Sequence, residues 1–335
     1  MKVVLDAMGG DRAPAATVAG ACAAVREQAG LEVLLCGPED RVRAELPPNP
    51  PAGVGFLPAS ESIAADESPA LAFRSKRDST MAVGLRAVRE GAAEAFVSCG
   101  NTGALMVGTL LTFGRAPGVD RPAMTSFLPT VDGEGFLLLD LGAHMDASGR
   151  NLYEFAVMGS IYAELVRGIE RPRVGLLNVG TEEGKGNEVS REAYALLSQS
   201  DLNFVGNVEG RDLFEHPVDV VVTDGFVGNI VIKTLEGYGS GISRVLGREL
   251  RHSGFRTLLG AFLAQNTLRG LRKRMDYSEY GGAPFLGVNG VSIKCHGSSD
   301  ARAVKNGILV AARVVGQGVV QRIAARLEKP AAAGI

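Results

Sequence analysis

The sequence predicts an α/β protein whose largely parallel sheet is covered by helices on both faces. One unit recurs: a short run rich in leucine or β-branched residues, a turn of Gly, Asn or Asp, and a segment with helical periodicity. This alternation is typical of parallel sheets, because their strands are joined by crossovers that are usually helices. The length of 335 residues, 46% of them apolar, allows a substantial core, and we expect one unit over 1–330.

The predicted strands and helices follow from the apolar runs and from the Gly and Pro residues that bound them. The first helix begins at Pro14 and is followed by Gly30, which is the usual placement of these two residues around a helix. Strands are predicted at 3–5, 31–36, 53–57, 95–98, 136–141, 174–178 and 218–223, and helices at about 14–29 and 78–90. Most of these strands end in a Gly-bearing turn. Since ligands bind at the carboxyl ends of parallel strands, we expect these turns to share one ligand-binding edge.

The segment 228–275 has a different pattern and predicts a helical hairpin that projects from the sheet. Its first arm has an apolar seam at helical spacing: Val231, Leu235, Tyr238, Ile242 and Val245. After a polar break at 251–254, a second apolar series follows: Phe255, Leu258, Leu259, Phe262 and Leu263. An exposed seam needs a partner, so we expect a homodimer contact here.

Composition argues against several classes of protein. The net charge is −2 and Trp is absent, which disfavours nucleic-acid binding. The four cysteines form no CxxC motif and the four histidines are scattered, so we expect no metal site, no cofactor and reduced cytoplasmic thiols. The amino terminus resembles no signal peptide, and no apolar stretch approaches the ~18 residues that span a membrane.

Two glycine turns are the first candidate sites. DAMGGD at 6–11 predicts either a phosphate-binding turn or a plain tight turn with a capping Asp. SCGNTG at 98–103 follows a strand and places an amide, a hydroxyl and helix-start N–H groups together, which suits an anion. Thr102 is equally compatible with an ordinary N-cap. Cys99 fits a buried structural thiol better than a nucleophile.

Two later turns and one polar block add further candidates. NVGTEEGKGN places Lys185 between glycines, where it suits a phosphate or an oxyanion, or is simply a solvated loop lysine. In TDGFVGN, Asn229 is either an N-cap or an amide that polarises a carbonyl, and Asp224 holds a loop or carries a proton. His296 lies in the glycine-rich block 276–300. The candidate substrate-binding residues are Asp6, Gly9, Gly10, Asp11, Gly100, Asn101, Thr102, Gly103, Asn178, Gly180, Asp224, Gly225 and His296.

No protein nucleophile is evident beside these anion-friendly turns, which fits an enzyme in which the anion itself attacks. The motifs DAMGGDRAP, SCGNTGALM, LDLGAH, LNVGTEEGKGNE, VVTDGFVGN and DYSEYGGAPFLGVNGVSIKCHGSS, in this order, resemble the bacterial phosphate acyltransferase (PlsX) family from Val3 to about Gln321. One departure is His144, where the family usually has Asn.

The resemblance implies a fold like the isocitrate and isopropylmalate dehydrogenases and phosphotransacetylases. It implies transfer of a fatty acyl group from acyl carrier protein to inorganic phosphate, with acyl phosphate passing to a glycerol-3-phosphate acyltransferase for phospholipid synthesis. It also implies a homodimer at the membrane periphery, with Lys185 and Asn229 in catalysis. Two alternatives stay open: a phosphotransacetylase or phosphotransbutyrylase acting on acyl-CoA, and a non-catalytic membrane scaffold.

The resemblance gives the hairpin 228–275 a second expected role. Its apolar tip is flanked by cations that suit an anionic membrane surface or acidic acyl carrier protein: Arg251, Arg256, Arg269, Arg272, Lys273 and Arg274. The alternative is an apolar dimer core with a solvated basic face.

Overall fold

The computed structural model describes residues 1–252, 254–267, 270 and 281–328. The strands are β1 Lys2–Asp6, β2 Glu32–Gly37, β3 Val54–Pro58, β4 Ala95–Ser98, β5 Ala123–Leu128, β6 Phe136–Leu139, β7 Arg173–Asn178, β8 Asn203–Glu209, β9 Val220–Val222, β10 Ala283–Leu286 and β11 Val291–Lys294. The helices are α1 Ala15–Glu27, α2 Glu39–Arg43, α3 Pro69–Ser75, α4 Thr80–Arg89, α5 Thr102–Phe113, α6 Gly149–Arg167, α7 Glu188–Ser198, α8 Gly225–His252, α9 Phe255–Leu263, α10 Ala301–Gly316 and α11 Val319–Leu327.

The described strands form one sheet in the order β3-β2-β1-β4-β11-β10-β5-β6-β9-β7-β8. Most neighbouring pairs are parallel, which confirms the predicted mainly parallel sheet. Three pairs are antiparallel: β11 with β10, β10 with β5, and β5 with β6. Because the direction reverses three times, the parallel block β3-β2-β1-β4-β11 runs opposite to the block β6-β9-β7-β8. The expectation that all the turns lie on one sheet edge is therefore wrong.

Helices cover both faces of the sheet, as predicted. Along β1, Val3 and Leu5 join one buried cluster while Val4 joins another, and α1 and α4 pack on the opposite sides. In β4 the same alternation places Phe96 on one face of the sheet, and Ala95 and Val97 on the other. This two-sided burial explains why the strands read as continuous apolar runs.

Four strands lie where none was predicted: β5, β8, β10 and β11. The block 276–300, expected to consist of turns, contains β10 and β11. Where the chain is described, no single helix has the length and apolar character to cross a membrane; the bent pair formed by α10 and α11 passes that test together, on length and composition alone.

The described part of the predicted hairpin consists of α8 and α9, with a break near Gly254. The seam residues Tyr238, Ile242 and Val245 are exposed in the single chain, as are Phe262 and Leu263 on α9. The side chains of Phe255, Arg256, Leu258, Arg269, Arg272, Lys273 and Arg274 lie outside the described part.

Candidate active site

A cavity of about 810 Å³ gathers most of the predicted turns. Its walls come from the turns after β1, β4 and β11, from the segment after β6, and from the second and third turns of α8. The predicted residues that line it are Gly10, Asp11, Gly100, Asn101, Thr102, Gly103, Asn229 and His296. Both parallel blocks thus contribute to one site although they run in opposite directions.

Asp6 connects the two glycine turns, DAMGGD and SCGNTG, through hydrogen bonds. Its carboxylate accepts the Ser98 hydroxyl at 2.7 Å and the Met8 N–H at 3.1 Å, and the Ser98 Oγ accepts the Gly100 N–H at 3.0 Å. Burial raises the pKa of Asp6 in spite of these hydrogen bonds. Asp6 and Gly9 do not line the cavity; they fix the position of the turns that do.

Only glycine fits at position 10 without strain. Its φ is +99°, and a Cβ would lie 2.9 Å from Cys99 Cβ and 3.0 Å from the Gly297 carbonyl. The Asp11 N–H donates to that same carbonyl at 2.8 Å. The turns after β1, β4 and β11 therefore meet at Gly10.

The SCGNTG turn ends in the amino terminus of α5, and Asn101 rather than Thr102 is its cap. Asn101 Oδ1 accepts the Ala104 N–H at 3.0 Å, and its amide donates to carbonyls of the loop 64–67. The Leu105 N–H donates to the Asn101 carbonyl. This leaves the N–H groups of Thr102 and Gly103 without an acceptor in the described chain, and both residues line the cavity.

Asn229 lies on α8 and lines the cavity. An N-cap role for Asn229 would require α8 to begin just after it, but the helix begins at Gly225. Asp224 Oδ1 accepts the Val227 N–H at 2.9 Å and so caps α8, while the Gly225 N–H donates to the His144 carbonyl at 2.9 Å. Asn229 therefore lies in the second helical turn, and the N-cap interpretation is wrong. Its side chain packs against Gly142.

The loop that carries Lys185 lies apart from the cavity. Asn178 donates to the Lys185 carbonyl at 3.2 Å and to Asn207 Oδ1 at 3.1 Å, which holds this loop closed. The Lys185 side chain is half exposed, and its ammonium lies 3.8 Å from the Glu182 carboxylate. Asn178, Gly180 and Lys185 do not line the cavity, and neither do Asp224 and Gly225.

Two thiols lie under the SCGNTG turn. Cys99 and Cys295 are adjacent across β4 and β11, since the Cys295 N–H donates to the Ser98 carbonyl at 2.9 Å. The Cys295 thiol and burial together raise the pKa of Cys99 well above its usual value. Cys99 is therefore a protonated thiol at neutral pH, in line with its interpretation as a structural residue.

His144 and His296 have different surroundings. His144 Nδ1 is buried without a hydrogen-bond partner in the described chain, and burial lowers the pKa of its imidazole. His296 Nδ1 accepts the Ser298 N–H at 3.2 Å, and burial is the main cause that lowers its pKa. Both imidazoles are biased towards their neutral forms.

Sequence reasoning missed part of the lining. Lys294, at the end of β11, Lys233 and Glu236 on α8, and the loop 62–65 all contribute to the cavity. A lysine that ends an apolar strand was a usable signal for Lys294. The loop 62–65 has no local motif, because it is placed by the Asn101 amide.

The architecture defines an α/β protein with the fold of phosphotransacylases. It is similar to a phosphotransacetylase from Streptococcus pyogenes (TM-score 0.59, 17% identity, 94% of each chain) and to a branched-chain phosphotransacylase from Enterococcus faecalis (TM-score 0.57, 14% identity, 94% of this chain and 99% of the other). A 4-hydroxythreonine-4-phosphate dehydrogenase from Klebsiella pneumoniae is also similar (TM-score 0.51, 14% identity, 94% and 98%).

Sequence comparison is more specific than the fold. A family profile described as "Fatty acid synthesis protein" matches residues 1–322. Relatives named phosphate acyltransferase are 52% identical in Heliobacterium modesticaldum (98% of this chain, 97% of the relative) and 48% identical in Brevibacillus brevis (98% of each). The chain belongs to this phosphate acyltransferase family and is an acyltransferase, as the motifs predicted.

Proposed function

We propose that the protein transfers a long-chain acyl group from acyl carrier protein to inorganic phosphate. A phosphate oxygen attacks the thioester carbonyl, the C–S bond breaks, and the carrier thiolate leaves and takes up a proton. The products are acyl phosphate and free acyl carrier protein. The observation that carries the proposal is one cavity lined by Thr102 and Gly103, at the amino terminus of α5, and by Asn229, in a chain of this family.

Phosphate suits this cavity because it is already an anion near pH 7 and needs no protein nucleophile. We assign its binding to the turns 9–10 and 100–103, where helix-start N–H groups stabilise negative charge. Asn229 donates a hydrogen bond to the thioester oxygen as that oxygen gains charge. The protein's contribution is then placement and electrostatic stabilisation.

Lys185 is proposed as a second source of positive charge for the transition state. Its ammonium lies outside the cavity, so this role requires the loop 178–187 to approach the substrates. The half-exposed side chain is long enough to change direction without disturbing a buried contact. A Lys185→Ala variant with unchanged turnover at saturating substrates would refute the role.

The test mixes purified protein with long-chain acyl carrier protein and inorganic phosphate. Acyl phosphate is trapped as the hydroxamate while free carrier thiol is counted. We expect both products, in equal amounts, only when phosphate is present. Thiol release without phosphate would identify a thioesterase, and the absence of both products from folded protein would refute the proposed reaction with this donor.

The second candidate is the same transfer from acyl-CoA, which the structural likeness to phosphotransacetylases favours. Coenzyme A and acyl carrier protein present the same phosphopantetheine arm, so the cavity alone does not separate them. Parallel kcat/KM measurements with the two donors, at matched acyl chain length, decide between them. Acyl phosphate formation from either donor excludes a purely non-catalytic membrane scaffold.

We further propose that the hairpin 228–275 supports a homodimer and peripheral attachment to an anionic membrane, in the cytoplasm, where acyl phosphate passes to a glycerol-3-phosphate acyltransferase. The exposed Phe262 and Leu263 support this proposal. Phe262→Glu with Leu263→Glu is expected to abolish flotation with anionic liposomes. Val131→Glu, at an exposed apolar residue elsewhere, is the control. Unchanged flotation of the double variant would refute membrane contact at this tip.

A further inference from the structure

Lys294 is a buried lysine whose ammonium is held at the SCGNTG turn. The residue is 8% exposed and lines the cavity. Its Nζ donates to the Cys99 carbonyl at 3.3 Å and to the Cys295 carbonyl. An ammonium has three N–H groups, so two are accounted for by these carbonyls. The long stem is thereby fixed in one direction before any ligand arrives.

The charge of Lys294 has no carboxylate within ion-pair distance in the described chain. Burial lowers the pKa of Lys294, and Cys99, Cys295 and Asp6 act in the opposite direction. The Asp6 carboxylate is itself engaged by Ser98 and Met8, and burial favours its neutral form. Lys233, the other cavity lysine, differs because it pairs with Glu236 at 2.7 Å. A buried cation without a counter-ion is costly, and a bound anion would remove that cost.

The ammonium and the unpaired N–H groups of α5 belong to the same turn. The Cys99 carbonyl that Lys294 contacts is part of the Cys99–Gly100 peptide, two residues before Thr102. Lys294 is also the β-ladder partner of Ser98, whose hydroxyl accepts the Gly100 N–H. The end of β11 thus holds the Lys294 amino group at the turn that leads into the positive end of the α5 dipole.

We propose that the ammonium of Lys294, a buried residue of the cavity wall, binds the phosphate that attacks the thioester. The inference deepens the proposed function and rests on it. Lys294 gives phosphate a charged hydrogen bond in the ground state, together with the N–H groups of Thr102 and Gly103. The proposed ligand is inorganic phosphate, a tetrahedral oxyanion. The phosphodiester of the pantetheine arm has the same chemistry, and the test below distinguishes the two.

The test compares Lys294→Met, which keeps the length of the stem without its charge, with Lys305→Met as control. Lys305 pairs with Glu27 outside the cavity and is expected to leave the kinetics unchanged. For Lys294→Met we expect the KM for inorganic phosphate to rise about 10- to 100-fold, the loss typical of one charged hydrogen bond. The KM for the acyl donor stays within about twofold of the wild-type value.

Other outcomes overturn the inference while leaving the reaction intact. A rise in the KM for the acyl donor alone would assign Lys294 to the pantetheine phosphodiester. A lower melting temperature with an unchanged KM for phosphate would show that Lys294 only bridges two carbonyls. Failure of the wild-type protein to form acyl phosphate would instead refute the proposed function.

A second measurement on wild-type protein serves if Lys294→Met does not fold. Amine-reactive labelling is followed by peptide mass spectrometry in phosphate and in chloride of equal ionic strength. We expect phosphate to slow labelling of Lys294 at least about tenfold and to leave Lys305 unaffected. Equal labelling of Lys294 in the two salts would overturn the inference.

Discussion

The close approach of the two glycine turns makes Gly9→Ala the sharpest test of how the site is built. A Cβ at Gly9 would lie 2.5 Å from Asp6 Oδ2 and 2.7 Å from the Gly100 nitrogen. Both distances are about 0.7–0.9 Å short of the 3.4 Å at which ordinary contact begins. Neither neighbour is the free end of a flexible side chain, because the Gly100 nitrogen is backbone bonded to Ser98 Oγ and the Asp6 carboxylate is buried and hydrogen-bonded.

The added methyl group must therefore separate the turn after β1 from the turn after β4. Overpacking of this kind costs about 1–3 kcal/mol in free energy of unfolding. A displacement near 1 Å in a positioning element lowers turnover about 100-fold. We expect Gly9→Ala to fold, to unfold at lower urea concentration, and to lose far more acyl phosphate formation than stability.

The measurement pairs urea unfolding with the hydroxamate assay. Gly210→Ala is the control, because a Cβ there meets nothing within 4 Å and its φ lies outside the left-handed region. It is expected to change stability by less than about 1 kcal/mol. Gly9→Ala with wild-type stability and wild-type turnover would refute the packing of the two turns described here.

Three further predictions concern single side chains. Asn229→Ala is expected to lower kcat about 10²–10³-fold, which is the usual loss for one oxyanion donor. Circular dichroism should show an unchanged fold, and turnover within threefold of wild type would exclude this role for Asn229. Cys99→Ala is expected to keep turnover within about tenfold, because its raised pKa keeps it a thiol; complete loss in a folded variant would point to covalent catalysis. The pKa of His144 is lowered from 6.5, so its stabilising contribution is present above pH 6.5 and is lost as pH falls. His144→Asn should therefore lose less melting temperature than wild type between pH 7.5 and pH 5.5, and identical losses would contradict this sign.

The sequence predicts those elements whose signal is local. The runs that become β1, β4 and β7 are apolar on both faces and end in glycine turns, so pattern and packing agree. The strands β10 and β11 were missed because only four residues each lie among glycines and turns. Their stability comes from pairing with β4 and β5, which are distant in the chain.

The sequence predicts which residues line the cavity more accurately than it predicts how the strands that carry them are arranged. Motifs around Gly10, Gly100 and Asn229 identified residues that line it, because tight turns and helix starts leave clear local marks. No local sequence pattern indicates the three reversals of strand direction, because they depend on which strands pair. For the same reason, no local pattern distinguishes Lys294, which lines the cavity, from Lys185, which lies outside it.

These two lysines are expected to separate in steady-state kinetics. Lys294 is fixed by two carbonyls in the cavity wall, so we expect its contribution to be present when phosphate binds and to appear in KM. Lys185 is half exposed and outside the cavity, so we expect it to act only after its loop approaches the substrates and to contribute to kcat. Lys185→Ala is thus expected to lower kcat with the KM for phosphate within about threefold, and Lys294→Met to show the reverse. If both variants changed KM alone, both lysines would serve ground-state binding, and Asn229 would remain as the proposed stabiliser of the transition state.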